Sequence, residues 1–219
     1  MNKNDTSGPT LIASAALVIA AVGFVLYPAI RPFSDEVSLE GAAAFGSDNW
    51  ILAHMIAMVS FTLLLPGLLG LYRVLETSDA GRLGTWATMV TMTGVGFTLP
   101  FYGGEAYGLH AVGQEALRQS SAALLDLAAT IRSGPGLMMF LIGLLLLAVG
   151  MIMIAFAIRK SGRLSPRSGF PLAVGMALYI PQFFGTQPIR VAHGLLVAAG
   201  CLWVAWTLWT ARGPQPVRE

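Results

Sequence analysis

The sequence predicts an all-α, polytopic membrane helical bundle of six transmembrane helices with both termini inside, and three observations predict it. Charged residues make up 11% of the 219-residue chain against about 25% in soluble domains, while apolar residues reach 55% before the 25 glycines are added. So few charges cannot build a water-facing surface. The charges are also bunched: the intervals 6–30, 49–72, 83–104, 133–158, 168–189 and 191–211 contain none and together cover 140 residues. About 20 apolar residues cross a hydrocarbon core as a helix, so each interval holds one span. Finally, when loops are assigned alternately to the two sides, nine basic residues fall on one side and four on the other.

The whole chain, 1–219, reads as a single integral membrane domain. The first span, 11–30, follows Lys3 and ends at Tyr27-Pro28. Its apolar run exceeds the 7–15 residues of a typical signal-peptide core, so it is expected to stay as a helix. An acidic loop leads to the second span, 50–72, bracketed by Trp50 and Tyr72 as interfacial aromatics. Pro66 removes a backbone donor inside it and predicts a kink. The third span, 84–102, is expected to break or bend at Pro100 and Gly103-Gly104.

An outer segment, 106–132, follows. Leu124, Leu127, Ala128 and Ile131 after Ser120-Ser121 predict a short amphipathic helix on the outer interface. The fourth span, 137–158, is the most uniformly hydrophobic. The fifth, 170–184, is short, with Pro171 and Pro181 near its ends. The sixth, 189–209, carries Trp203, Trp206 and Trp209 towards its inner end, and its Gly194 and Ala198 form a small-xxx-small pair suited to close helix approach.

The loop between spans four and five, with Arg159, Lys160, Arg163 and Arg167, sets the orientation by the positive-inside rule. Lys3, Arg73, Arg82, Arg212 and Arg218 join it inside. Arg31, Arg118, Arg132 and Arg190 are the basic residues left outside, with seven of the eleven acids.

Composition also excludes functions. No basic helix or long basic run is present to grip nucleic acid. The one cysteine, Cys201, lies within a span and rules out intrachain disulfides, a CxxC pair and a four-thiolate zinc site. No Gly-rich phosphate loop, HExxH, GxSxG or paired-carboxylate signature occurs, so soluble-enzyme chemistry is not expected. A transporter reading draws on the proline-interrupted spans and Gly-rich segments, but no span carries a charge near its middle.

The candidate site lies at the outer face, where all three histidines fall. His54 and His193 each sit one turn inside an outer helix end, about 6 Å deep. Ionisable groups within spans are expensive unless they face the bundle interior or a partner. Glu105, His110, Gln182 and Arg190 lie nearby in sequence or depth. Three cofactor readings stay open beside a purely structural role for the histidines. One is a divalent metal held by His54, Glu105, His110 and His193. Another is b-type haem with His54 and His193 as axial ligands. The last is copper, for which Met55, Met58, Met138 and Met139 add thioethers. Glu105 and His110 are about 140° apart on an ideal helix and share no face unless the Gly103-Gly104 region re-aims one of them. Arg190 is read either as snorkelling to headgroups or as contacting an anion or lipid, or pairing with Glu105 or Asp48.

At Trp50-xxx-His54, Pro66-Gly-Leu-Leu-Gly-Leu-Tyr72 and Tyr107-Gly-Leu-His-Ala111 the chain resembles small six-span bacterial membrane proteins grouped as a domain-of-unknown-function family. The resemblance implies a bacterial cytoplasmic (inner) membrane location and assigns no catalytic residue. The functional expectation is a multi-pass membrane protein with an outward His/Glu site for haem or a metal ion. The alternative is a structural or regulatory subunit, or a small transporter, that binds lipid, a membrane-protein partner or a second copy through its outer loops.

Overall fold

The computed structural model describes residues 7–211, and these are helical with no strand. The predicted inner-side residues Lys3, Asp5, Arg212, Arg218 and Glu219 lie outside the described residues. The long helices are α1 (Ser7–Ile30), α3 (Asp48–Leu75), α4 (Gly81–Gly103), α7 (Gly134–Ser161) and α9 (Gln187–Thr210), joined by the shorter α2 (Leu39–Phe45), α5 (Leu109–Gln119), α6 (Asp126–Ile131) and α8 (Phe170–Ala177). Helix starts follow ordinary capping. The Ser38 and Ser47 hydroxyls accept from the Glu40 and Trp50 amides, which starts α2 and α3.

Four segments are long and apolar enough to cross a membrane: Gly8–Ile30, Asp48–Leu75, Gly134–Ser161 and Gln187–Thr210. They overlap four of the six predicted spans. The other two differ for separate reasons. α4 has the length at 23 residues, but its five threonines and five glycines lower its apolarity. The predicted fifth span, 170–184, is not one helix. α8 ends at Ala177, a turn follows, and a 3-10 helix covers Pro181–Phe184, because Pro181 has no N–H to continue the ladder.

Close approach, rather than size complementarity alone, holds the bundle together. α4 packs most extensively on α7, and α1 on both α3 and α9. A Cβ on Gly94 would lie 2.8 Å from the Gly143 carbonyl oxygen, and one on Gly143 would lie 2.9 Å from that of Gly94. Backbones this close admit only glycine. Gly194 meets the Phe24 carbonyl in the same way, so the predicted small pair on the last helix does bring α9 against α1. The chain from α8 to the 3-10 helix runs antiparallel along α9, with Gly175 against Val197 and Gly185 against Ile189. Outward, large apolar side chains such as Ile12, Val59, Met89, Leu145, Phe156 and Leu202 are exposed. The helices are thus apolar on both faces, as lipid-surrounded helices are.

At the end where α1 finishes and α3 starts, a small second core forms from Ala42, Phe45, Trp50, Leu109, Ala116, Leu125 and Ala128. It joins α2, α5 and α6 into a cap over the bundle. This corrects two expectations. Segment 106–132 folds onto the protein: Leu125 and Ala128 are buried and Leu127 is exposed. Trp50 is no interfacial anchor, being 0% exposed at the centre of the cap. The expected break after Pro100 is a single π-helical turn, Gly104–Gly108, in which the Leu109 amide reaches back five residues to the Gly104 carbonyl before α5 continues. At the opposite end Trp203, Trp206 and Trp209 are exposed, as read from the sequence.

Candidate functional site

The π-turn matters because it carries Glu105 inward. Two guanidinium nitrogens of Arg132, Nε and Nη2, donate to the Glu105 carboxylate at 2.6 and 2.8 Å, the bidentate geometry that a planar fork favours. The remaining Nη1 donates to Glu36 at 2.5 Å, and the other Glu36 oxygen accepts from Arg31 at 2.8 Å. Arg31, Glu36, Arg132 and Glu105 therefore form one chain of alternating charge. It ties the end of α1, the 31–38 loop, the π-turn and the α6–α7 junction together. The Arg31 guanidinium also covers the Trp50 ring at 4.5 Å, and the Trp50 indole N–H donates to the Glu105 carbonyl at 2.6 Å.

Glu36 sits in the left-handed region at φ 57, a conformation that costs a non-glycine residue about 1–2 kcal/mol. A Cβ on Gly41 would lie 2.7 Å from the Glu36 Cα, so glycine there leaves the room this turn requires. Burial opposes ionisation of Glu36, but Arg132 and Arg31 outweigh it and hold the carboxyl below its ordinary 4.5. Burial likewise works against the Arg132 charge, and Glu105 and Glu36 overcome it and raise its pKa. For a depressed carboxylate, the stabilisation is complete above the unfolded value and lost as pH falls through the folded one. Hydrogen-exchange protection of α2, corrected for intrinsic rate, is therefore expected to be flat from pH 7 to about 4.5. Below that it should fall, and the Glu36-dependent part of the fall should vanish in Glu36→Gln. Identical profiles for the two proteins would contradict the assignment.

The predicted site residues are only partly brought together. His54 is 1% exposed; its Nδ1 donates to the Trp50 carbonyl at 2.7 Å and its Nε2 lies 3.8 Å from Glu105. His110 instead donates through Nδ1 to the Phe45 carbonyl at 3.1 Å, and His193 through Nε2 to the Gly175 carbonyl at 2.7 Å. Among the described residues no three His, Cys, Asp or Glu side chains are grouped to hold a metal ion. The four-residue metal set is thus corrected to one His–Glu neighbour pair, since each histidine is fastened to a different carbonyl. The copper set fails similarly, because Met55 and Met138 point to the exterior.

Nor do His54 and His193 frame a porphyrin. The Tyr102 ring lies 6.2 Å from that of His54 and the Tyr179 ring 5.1 Å from that of His193, and the two tyrosine hydroxyls are hydrogen-bonded at 2.9 Å. The cavity beside His193 is about 10 Å³, room for roughly one water. The pairings of Arg190 with Glu105 or Asp48 are not found. Its guanidinium donates to the Gly185 and Phe183 carbonyls at 3.1 and 2.6 Å and faces the Phe33 ring at 5.1 Å.

What the arrangement does create is a cleft of about 430 Å³ beside the ion-pair chain. Arg31, Ser34, Glu36, Glu105, Arg132 and Arg190 supply its polar lining. Phe101, Leu137, Phe140, Leu141 and Phe183 supply an apolar wall, with Tyr27 and Tyr102 between. Leu137 also lines a neighbouring open groove with Phe97, Met138 and Ile142, so the apolar side of the cleft meets the lipid-like exterior of α4 and α7. Sequence reasoning placed Glu105 and Arg190 here but missed Arg31, Ser34, Glu36 and Arg132. A signal existed: Arg31, Arg132 and Arg190 are three of the four basic residues on the basic-poor side. No family model, curated protein or solved structure matches the chain.

Proposed function

We propose that this is a six-pass protein of the bacterial cytoplasmic membrane, with both termini inside, which binds a membrane-resident amphiphile in its outward-facing cleft without doing chemistry on it. The observation that carries the reading is the cleft itself, whose polar lining lies against an apolar wall continuous with the lipid-facing surface. Its volume suits a small-molecule site. An amphiphile satisfies both sides at once, whereas a soluble polar metabolite would leave the phenylalanines and leucines wet.

Two features support six passes. Each α4 threonine donates its hydroxyl to the carbonyl four residues back, as Thr88 to Gly84 at 2.8 Å and Thr98 to Gly94 at 2.8 Å. The polarity that lowers its apolarity is thus largely satisfied within the helix, and lipid exposure costs less. The 163–186 segment accompanies α9 from its Trp206 end to its Ile189 end, covering the helix although only its middle is α-helical. The distribution of basic residues and the resemblance to six-span bacterial proteins support the orientation and the membrane. Reporter fusions at Gly162 and Ser121 are expected to report the inside and the outside respectively. Finding both on one side would overturn the topology.

For binding, the delipidated protein in a neutral detergent is expected to gain several degrees in melting temperature when short-chain phospholipid is restored. Leu141→Arg, which fills the apolar wall with charge, should abolish the gain. A gain of equal size in that variant would contradict binding in the cleft.

A further inference from the structure

We infer that the cleft selects an amphiphile whose polar end is a single oxyanion, seated on Arg190 and Ser34 rather than on the Arg31–Glu36–Arg132–Glu105 chain. This rests on the proposed amphiphile reading and deepens it. The argument is one of charge and of hydrogen-bonding capacity. Three guanidiniums, Arg31, Arg132 and Arg190, face two carboxylates, Glu36 and Glu105, around the cleft. Arg132 and Arg31 are matched by those carboxylates, and Arg132 has all three guanidinium nitrogens engaged. Arg190 is the cation left over. Its described partners are two backbone carbonyls and aromatic faces, which hold the group in place and supply no countercharge.

The second observation is independent of charge. The Ser34 hydroxyl oxygen is buried and has no hydrogen-bond partner, and Ser34 lines the same cleft. Leaving a buried hydroxyl unmatched is costly, and native structures rarely do so without a reason. An oxyanion accepts from both: one hydrogen bond from the Ser34 hydroxyl and charge-assisted bonds from the Arg190 guanidinium, which uses only part of its five-donor fork on the two carbonyls. A monoanion leaves the lining neutral, whereas a dianion would overcharge it. A phosphodiester or a carboxylate meets the requirement, with its chain along Phe101, Phe140 and Leu141 and leaving past Leu137.

Four probes in neutral detergent test this: dioctanoyl phosphatidylglycerol, dioctanoyl phosphatidylcholine, dioctanoylglycerol and inorganic phosphate. Phosphatidylglycerol is expected to bind at least tenfold more tightly than the zwitterionic and neutral probes, and inorganic phosphate at least a hundredfold more weakly. Arg190→Gln should lower phosphatidylglycerol affinity about tenfold or more and leave dioctanoylglycerol unchanged. Arg190→Lys should retain part of the preference. Ser34→Ala, which removes no existing bond, should weaken phosphatidylglycerol a few fold. Equal affinity for the anionic and neutral lipids, or an Arg190→Gln loss shared by both, would overturn the oxyanion seat and leave the amphiphile reading standing. Phosphate binding as tightly as the lipid would overturn the amphiphile reading. If no lipid binds, both fall. If Arg190→Gln does not fold, the wild-type preference and Ser34→Ala decide the outcome.

Discussion

Replacing Trp50 with alanine is expected to cost about 3–5 kcal/mol, the range for deleting a fully buried large aromatic. Few side chains here hold so many elements. Trp50 packs edge-on against Phe45 at 4.6 Å, lies 4.5 Å from the His54 ring and from the Arg31 guanidinium, and bonds the Glu105 carbonyl. Its removal opens a cavity in the cap core and leaves a buried carbonyl unmatched. Unfolding in mild detergent titrated with a denaturing one measures the loss. Trp206→Ala is the matched control, because that side chain is 65% exposed at the other end of the bundle. It should cost at most about 0.5 kcal/mol. Comparable losses from the two would show that Trp50 is an interfacial aromatic after all.

Arg132→Met should be nearly as damaging, through charge rather than volume. Removing one member of a buried ion pair typically costs about 3–5 kcal/mol because its partner is left charged and unmatched. The Arg132 side chain is 27% exposed, which places the expectation near 3 kcal/mol. Two carboxylates lose their countercharge, and Glu36 loses a contact that offsets its left-handed backbone. The signature that separates charge from packing is a rescue: adding Glu36→Gln and Glu105→Gln to Arg132→Met should recover part of the loss. A triple variant less stable than Arg132→Met would contradict this account.

The helices were legible in the sequence because lipid imposes a long, uniform requirement on composition. The ends of α1, α3, α7 and α9 fall within three residues or so of the charges and prolines that flank their apolar runs, except at the N-terminus of α1, which starts at Ser7. What failed is local. Pro171 and Pro181 were read as marking the ends of a span, when Pro181 divides the segment. Pro100 and Gly103-Gly104 were read as a break, when one π-turn absorbs them. That turn buries Glu105, and a straight-helix projection has no means of showing it.

The site was half legible. Burial economics singled out His54 correctly as an inward group, but the histidines were weighed as ligands when each spends a ring N–H on a backbone carbonyl. The stronger evidence lay in the residues that violate the charge rule. Arg118, the fourth outer basic residue, pairs with Glu115 on the exposed surface of α5, whereas Arg31, Arg132 and Arg190 are drawn to the cleft. Pairing across 96 residues, as between Arg132 and Glu36, leaves no trace in spacing. Only the cap that folds segment 106–132 back over α3 brings those partners together.

The central claim is that an amphiphile occupies the cleft with its chain against α4 and α7. The most direct test is photo-crosslinking in native-like bilayers with a phospholipid carrying a diazirine in its acyl chain near the headgroup, followed by mapping of the labelled residues. The account predicts saturable label on Phe101, Phe140 and Leu141, which a non-photoreactive short-chain phosphatidylglycerol displaces and which Leu141→Arg removes. Label confined to lipid-facing residues such as Leu145, Val149 and Phe156, with no saturable component in the cleft, would contradict it.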